Sequence, residues 1–269
     1  MADSHLLVID VGNTRAKFGV CTVSAAPPTL LMNSAVRIEE HDLPTALSNW
    51  STDIPGRPDA AIISGSNPPV RDQLINRWPA GLPTPRVVAA RSEIPINIRL
   101  KQPETVGLDR LLTAFAARSI FAPQQPVIVV DSGTATTVNA VSADGAFLGG
   151  AILPGLRLSA RALHEYTARL PWLDTDSIAE QVSEASIPVI GGNTQQAMTS
   201  GLVWGQLGAI RELRQRMTQS LMDESSSDVA CIVTGGGGRQ LADHLQPCTY
   251  VDSLTLYGLA LLHKNRVAT

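Results

Sequence analysis

Two short stretches of this chain carry residue types that can hold a phosphate group and its metal. The first is Asp10-Val11-Gly12-Asn13-Thr14 and the second is Asp131-Ser132-Gly133-Thr134. Each follows an apolar, β-prone run, 6–9 and 127–130, and each precedes a second β-prone run. Glycine lets a backbone turn and approach an anion closely. Successive backbone N–H groups and the threonine hydroxyl can donate to phosphate oxygens. The carboxylate at the strand end can hold a cation, directly or through water. A unit of this kind occurring twice predicts two related lobes closing on a nucleotide. Taken singly, the first reads more readily as a hairpin whose acid caps a Gly-Asn turn, and the second also reads as an Asp making an Asx turn at a strand end.

Three further stretches could add chemistry. In Gly107-Leu108-Asp109-Arg110, the apolar residues Leu108, Leu111, Leu112 and Phe115 share one helical face, which puts Asp109 at a helix start. Phosphoryl transfer mainly needs positioning and charge stabilisation, with an acid oriented to accept the substrate hydroxyl proton. Asp109 is the candidate general base, and the positive end of the helix dipole favours a negative charge there. From the residues alone, the more ordinary reading is a first-turn acid that stabilises its own helix, because acids are enriched there. Arg110 could pair with a substrate carboxylate, ideally through two hydrogen bonds. Thr194 precedes a long helical stretch, so it reads as that helix's N-cap or first-turn residue. Thr234-Gly235-Gly236-Gly237-Gly238 follows a strand and opens a helix, which suits an adenine or ribose contact made by backbone. It lacks the full dinucleotide-binding glycine spacing, and a plain loop is the alternative.

The elements that must position these residues follow from periodicity and punctuation. Strands are expected at 6–11 and 17–23, with a break at 25–29, and at 60–64 and 87–90. A helix is expected at 70–78 and another from Gly107 onward. Ala122-Pro123-Gln124-Gln125-Pro126 reads as the linker, which divides the chain into lobes 1–122 and 123–269. The second lobe restarts with strands at 127–131, 135–141 and 146–152, the last two joined by a turn at Ala143-Asp144-Gly145. Helices follow at 156–170 and from Thr194 to about Met222, then a strand at 228–233, a short helix, and a closing helix at 253–263. Hairpins first and helices later, twice over, is an α/β pattern with two similar halves.

Composition narrows the class. With 44% hydrophobic and 17% charged residues, the 269-residue chain is globular rather than disordered. A net charge of −3 argues against a nucleic-acid or polybasic membrane surface. No stretch approaches the roughly 20 apolar residues of a membrane span, and the first apolar run is too short for a signal peptide. Cys21, Cys231 and Cys248 are odd in number and far apart, which fits reduced thiols in a cytoplasm. The five histidines are dispersed and lack zinc spacing. Trp50, Trp78, Trp172 and Trp204 read as core or interface residues. Met198, Leu202, Leu213 and Met217 give the long helix apolar bulk, for a core or for a subunit contact.

In order and spacing, these motifs resemble the type III pantothenate kinases, of the superfamily of acetate and sugar kinases, heat-shock chaperones and actin. The resemblance spans nearly the whole chain. It is carried by Asp10 to Thr14, Gly107 to Arg110, Asp131 to Thr137, Gly149-Gly150-Ala151-Ile152-Leu153-Pro154-Gly155, Thr167-Ala168-Arg169-Leu170-Pro171, Gly192-Asn193-Thr194 and Thr234-Gly235-Gly236. It implies an α/β fold of two actin-like ATPase (ribonuclease H-like) lobes, with mixed sheets flanked by helices. It implies ATP-dependent phosphorylation of pantothenate, the first step towards coenzyme A, by a cytoplasmic homodimer with no nucleic-acid or membrane partner. ATP would meet Asp10, Val11, Gly12, Asn13, Thr14, Arg15, Ala16 and Lys17 in the first lobe and Thr134 in the second. Asp10 would hold Mg2+ through water, and Asp131 a monovalent cation, K+ or NH4+. Asp109 would be the catalytic base. Gly107, Leu108, Asp109, Arg110 and Thr194 would bind pantothenate. The family commonly places a substrate-touching tyrosine where this chain has Leu100, so that contact departs from the pattern. The rivals are a kinase of another small hydroxylated substrate on the same fold, and a non-catalytic regulatory relative.

Overall fold

The computed structural model describes residues 4–24, 26–175, 178, 187–224 and 228–267. It divides into two compact units, Met1–Phe121 with Ser253–Thr269, and Ala122–Asp252. Chain order alone put the last helix with the second half. The contacts group it with the first, because its apolar side chains, among them Leu256 and Leu259, are buried against the first sheet and the helix that follows Gly107.

The first unit holds β1 (His5–Val11), β2 (Arg15–Thr22), β3 (Thr29–Arg37), β4 (Ala60–Gly65) and β5 (Pro85–Val87) in the order β3-β2-β1-β4-β5. β1 is antiparallel to β2 and parallel to β4. It is paired on both edges and covered on both faces, so Leu6 to Ile9 can all be apolar and fully buried. Around the sheet lie α1 (Leu43–Ser51), α2 (Pro68–Asn76), α3 (Leu108–Ala116) and α7 (Leu254–Val267). Leu7, Ile9 and Val11 pack with Leu43 and Leu47 of α1 and Leu74 of α2. The alternate residues, Leu6, Val8 and then Asp10, point to the other face. α3 and α7 pack against each other there, with α7 on β1 and α3 on β4.

The second unit repeats this plan. Its strands are β6 (Val127–Ser132), β7 (Ala135–Val141), β8 (Phe147–Pro154), β9 (Ala230–Thr234) and β10 (Thr249–Tyr250), in the order β8-β7-β6-β9-β10. β6 again runs antiparallel to its hairpin partner β7 and parallel to β9. The helices are α4 (Leu156–Glu165), α5 (Thr194–Glu224) and α6 (Gly238–Ala242). Met198, Leu202, Leu213 and Met217 of α5 pack onto the second core together with Trp204. Trp50 and Trp78 pack on the first core, and Trp172 is largely exposed.

Several boundaries differ from expectation for local reasons. α2 starts at Pro68 because Asn67 caps it, accepting from the Val70 amide, and prolines fill its first turn. α4 stops at Glu165, short of 170, and the Thr167 hydroxyl donates to the Leu163 carbonyl and accepts from the Leu170 amide beyond its end. β5 covers 85–87 rather than 87–90, with the Val88 amide extending the pairing to the Ile63 carbonyl.

α3 carries the Gly107–Arg110 turn at its start, so its seating decides where that turn lies. Leu112 is fully buried on this helix. Leu112→Ala is expected to lower the unfolding free energy by about 2–5 kcal/mol, the range for emptying a leucine site in a packed core. Urea denaturation measures it; a loss under about 1 kcal/mol would contradict this packing.

Candidate active site

The polar groups gather where the central strands leave their sheets. Asp10 stands one residue before the end of β1 and is only 5% exposed. Its register partner on β2 is Lys17, whose ammonium lies 3.9 Å from the Asp10 carboxylate. The neighbour on the parallel side is Ser64, also buried, whose hydroxyl donates to the Val88 carbonyl. The hairpin closes where the Gly12 amide donates to the Arg15 carbonyl, which leaves Asn13 exposed at the tip. Arg15, Ala16 and Lys17 already belong to β2. Val11 and Ala16 are fully buried in the first core, so a ligand at this loop could reach them only through backbone.

The second hairpin has the same construction. Asp131 precedes the end of β6, its parallel neighbour on β9 is Thr234, and Thr234 is buried. The Gly133 amide donates to the Ala135 carbonyl, so Gly133 and Thr134 form an exposed tip. The Gly155 amide, at the start of α4, donates to the Thr134 carbonyl. The loop after β9 folds onto the acid. Gly235 has φ +89°, and a Cβ added there would lie 2.4 Å from Asp131 Oδ1 and 2.5 Å from the Ser132 carbonyl oxygen. Both the backbone conformation and the lack of space therefore require glycine. Asp131 Oδ1 and the Ser132 carbonyl oxygen thus both approach the Gly235 backbone closely. The Gly237 amide fixes the loop by donating to the Ser132 carbonyl.

Asp109 occupies the first turn of α3, half-buried. Its Oδ1 accepts from the Arg110 amide at 2.9 Å. The carboxylate curls back over the helix start, so that a Cβ at Gly107 would lie 2.4 Å from Oδ1. Glycine at 107 is thus what leaves room for this rotamer. With Oδ1 engaged, Oδ2 is the oxygen left for another partner. Burial lowers the Arg110 guanidinium below its ordinary range, against the opposing pull of Asp109 beside it. Arg110 remains a cation at neutral pH. Asp10 and the start of α3 belong to one unit, and α3 packs on the sheet face to which Asp10 points.

Leu100 is half-buried, outside any helix or strand. Thr194 is the exposed first residue of α5. Asn193 caps that helix instead, its side chain accepting from the Gln196 amide while Gln196 Oε1 accepts from the Gly192 amide. Thr194 is therefore spared the capping duty. Asp131, Thr134 and Thr194 lie in the second unit, and the Asp10 loop, Leu100 and Gly107–Arg110 in the first. The contact of Gly235 with Asp131 joins residues about a hundred positions apart, and periodicity gives no signal for it. Among the described residues no group of three or more His, Cys, Asp or Glu side chains gathers as a metal site. A Mg2+ here would take one carboxylate, as Asp10 offers, with phosphate and water oxygens completing its shell.

Gly235→Ala is expected to cost about 1–3 kcal/mol of stability, the range for a non-glycine residue forced into a rare backbone region. An unfolding midpoint equal to that of the unsubstituted protein would contradict the cradle described for Asp131.

Comparison with known proteins supplies the family. Residues 6–216 match the sequence profile of the type III pantothenate kinases. A type III pantothenate kinase of Paraburkholderia phytofirmans is 33% identical over 271 aligned residues, covering 97% of this chain and 95% of its own. In fold, a Campylobacter jejuni protein assigned to the Baf family of transcriptional activators superposes with a TM-score of 0.60 at 20% identity, covering 98% of this chain and all of the other. The ethanolamine utilization protein EutJ of Carboxydothermus hydrogenoformans does so with a TM-score of 0.53 at 13% identity, over 97% of this chain and 91% of its own. At these identities the structural likeness speaks for the fold alone, two mixed five-stranded sheets flanked by helices in the manner of the actin-like ATPases. With the profile spanning most of its length and this Paraburkholderia kinase aligning over nearly the whole of both chains, the chain belongs to the type III pantothenate kinase family.

Proposed function

We propose that this protein transfers the terminal phosphoryl group of ATP to the primary hydroxyl of pantothenate, forming 4'-phosphopantothenate in the first step of coenzyme A biosynthesis. The observation that carries the reading is the start of α3. There a carboxylate is held by the adjacent Arg110 amide over a glycine that leaves it room, beside a half-buried arginine. Pantothenate presents a hydroxyl and a carboxylate, the two groups such a pair can address.

In this reading Asp109 accepts the hydroxyl proton on Oδ2 as the oxygen attacks phosphorus, while Oδ1 stays anchored. Arg110 binds the pantothenate carboxylate. Gly107 and Leu108 line the turn, Thr194 adds a hydroxyl contact, and Leu100 offers apolar packing where relatives commonly have tyrosine. Gly12, Asn13 and Thr14 lie around the ATP phosphates, with Gly12 letting the loop approach them and Asn13 and Thr14 donating. The backbone of Val11, Arg15 and Ala16 shapes the loop, and Thr134 contacts ATP from its own hairpin. Lys17 places a positive charge beside Asp10. Asp10 holds Mg2+ through water, and Asp131 with the Ser132 carbonyl holds K+ or NH4+. The divalent ion, when bound, neutralises phosphate charge; the residues bind, orient and move the proton.

We assign the protein to the cytoplasm as a homodimer. No described helix is long and apolar enough to cross a membrane. The exposed side chains Ile152, Tyr166, Trp172, Val189 and Ile190 all lie in the second unit and supply apolar surface for a subunit contact.

Asp109→Asn keeps the shape of the turn but removes the proton acceptor. Its kcat is expected to fall by about 100-fold to 10,000-fold, the range for general acid–base catalysis, with KM for ATP little changed. Asp131→Asn is expected to abolish the response of the rate to added K+. Steady-state kinetics measure both, and an Asp109→Asn enzyme with unaltered kcat would remove Asp109 from the chemistry.

A further inference from the structure

Cys231 and Cys248 are far apart in sequence, but the fold makes them neighbours. β9 and β10 run parallel, with Ile232 opposite Thr249 and Val233 opposite Tyr250. One residue back stand Cys231, within β9, and Cys248, immediately before β10. Equal offsets on paired strands point to the same face of a sheet. Accordingly Cys231 is a member of the second core, and Cys248 packs against that core. The spacing of paired strands, about 4.8 Å, falls inside the Cα separation of about 4.4–6.8 Å that a disulfide spans. Both thiols are free in this structure.

We propose that Cys231 and Cys248 are a redox pair that closes to a reversible disulfide under peroxide and ties β10 to β9. Their surroundings divide the labour. Cys231 is 6% exposed, whereas Cys248 is half-buried, which makes it the more accessible of the two to a solvent oxidant. The Cys248 thiol donates to the Ala242 carbonyl, and Gln246 Nε2 donates to its sulfur. Arg214 is bound to the Leu245 and Pro247 carbonyls, immediately before Cys248. Burial pushes the Cys231 thiol up to about 11, with the Arg214 charge pulling it down and the Cys248 thiol adding to the rise. Burial also raises Cys248, again opposed by Arg214. Both sulfurs thus lie within reach of one cation, Arg214.

The chemistry balances with hydrogen peroxide as oxidant. The Cys248 thiolate attacks one peroxide oxygen, the O–O bond breaks, and the leaving hydroxide takes a proton to become water. Cys248 is then a sulfenic acid. The Cys231 sulfur attacks that sulfur, the S–O bond breaks, and the departing hydroxide leaves as water with the Cys231 proton. Two thiols are oxidised and one peroxide is reduced. A thiol reductant reverses the bond by exchange. Cys21, fully buried on β2 in the other unit and pushed up to about 12 by burial, is the internal control. The inference is independent of which hydroxyl the enzyme phosphorylates.

The test treats the folded, reduced protein with hydrogen peroxide, then denatures it, alkylates free thiols and maps peptides by mass spectrometry. The expected result is a protein lighter by two hydrogens before alkylation, a linked Cys231–Cys248 peptide, and Cys21 alone alkylated. Dithiothreitol should restore all three sites, and Cys248→Ser should abolish the linked peptide. Three alkylated cysteines after peroxide, or Cys248 carried on to sulfinic acid while Cys231 still alkylates, would overturn the proposal.

Discussion

The two central strands are closed to polar side chains along almost their whole length. β1 and β6 are hydrogen-bonded on both edges, and Leu6 to Ile9 and Val127 to Val130 are fully buried. An uncompensated charge in either run would lose its water without gaining a partner, at a cost of several kcal/mol. The first position where a carboxylate can be held is the strand's C-terminal end, where the chain turns out of the sheet. Asp10 and Asp131 stand there, each beside a glycine turn and each with a buried hydroxyl residue, Ser64 or Thr234, on the neighbouring parallel strand. Ligand sites at the carboxyl ends of strands are the general outcome of such sheets. In this chain the outcome occurs twice because the sheet occurs twice.

The same plan is tuned differently in each unit. In the first, the acid faces an ammonium group, Lys17, across the hairpin. In the second, the register partner is Thr137, and the acid's Oδ1 lies over a glycine turn beside a carbonyl oxygen. One hairpin thus sets a cation beside its acid, and the other packs its acid against a glycine turn. A fold of this type hosts many chemistries, so neither hairpin names the acceptor. The substrate preference argued here rests on the start of α3, where Gly107, Asp109 and Arg110 form one unit of packing and hydrogen bonding.

Much of this was legible in the sequence. The repeated acid–glycine–threonine hairpins, the helix after Gly107 and the long helix from Thr194 are marked by continuous apolar runs or strong periodicity, and the structure has them. What was not legible has physical causes. β3 lies at a sheet edge with its side chains half-buried or exposed, so it lacks the apolar run that betrays a strand. α1 starts at a cap made by Asp42, which accepts from the Thr45 amide, and only two of its residues are buried. β10 has two residues, too few for any pattern. The seating of α7 in the first unit, the Gly235 turn against Asp131 and the adjacency of Cys231 to Cys248 are long-range pairings that one sequence does not encode locally.

The central claim is that the hydroxyl of pantothenate receives the phosphoryl group. Phosphorus NMR of the protein with ATP, Mg2+, K+ and pantothenate tests it directly, because it reports the product rather than the consumption of ATP. The account predicts a new phosphate monoester on the primary hydroxyl, growing in step with ADP. Inorganic phosphate and ADP with pantothenate unaltered, or no turnover by folded protein while another hydroxyl acceptor is phosphorylated, would contradict it.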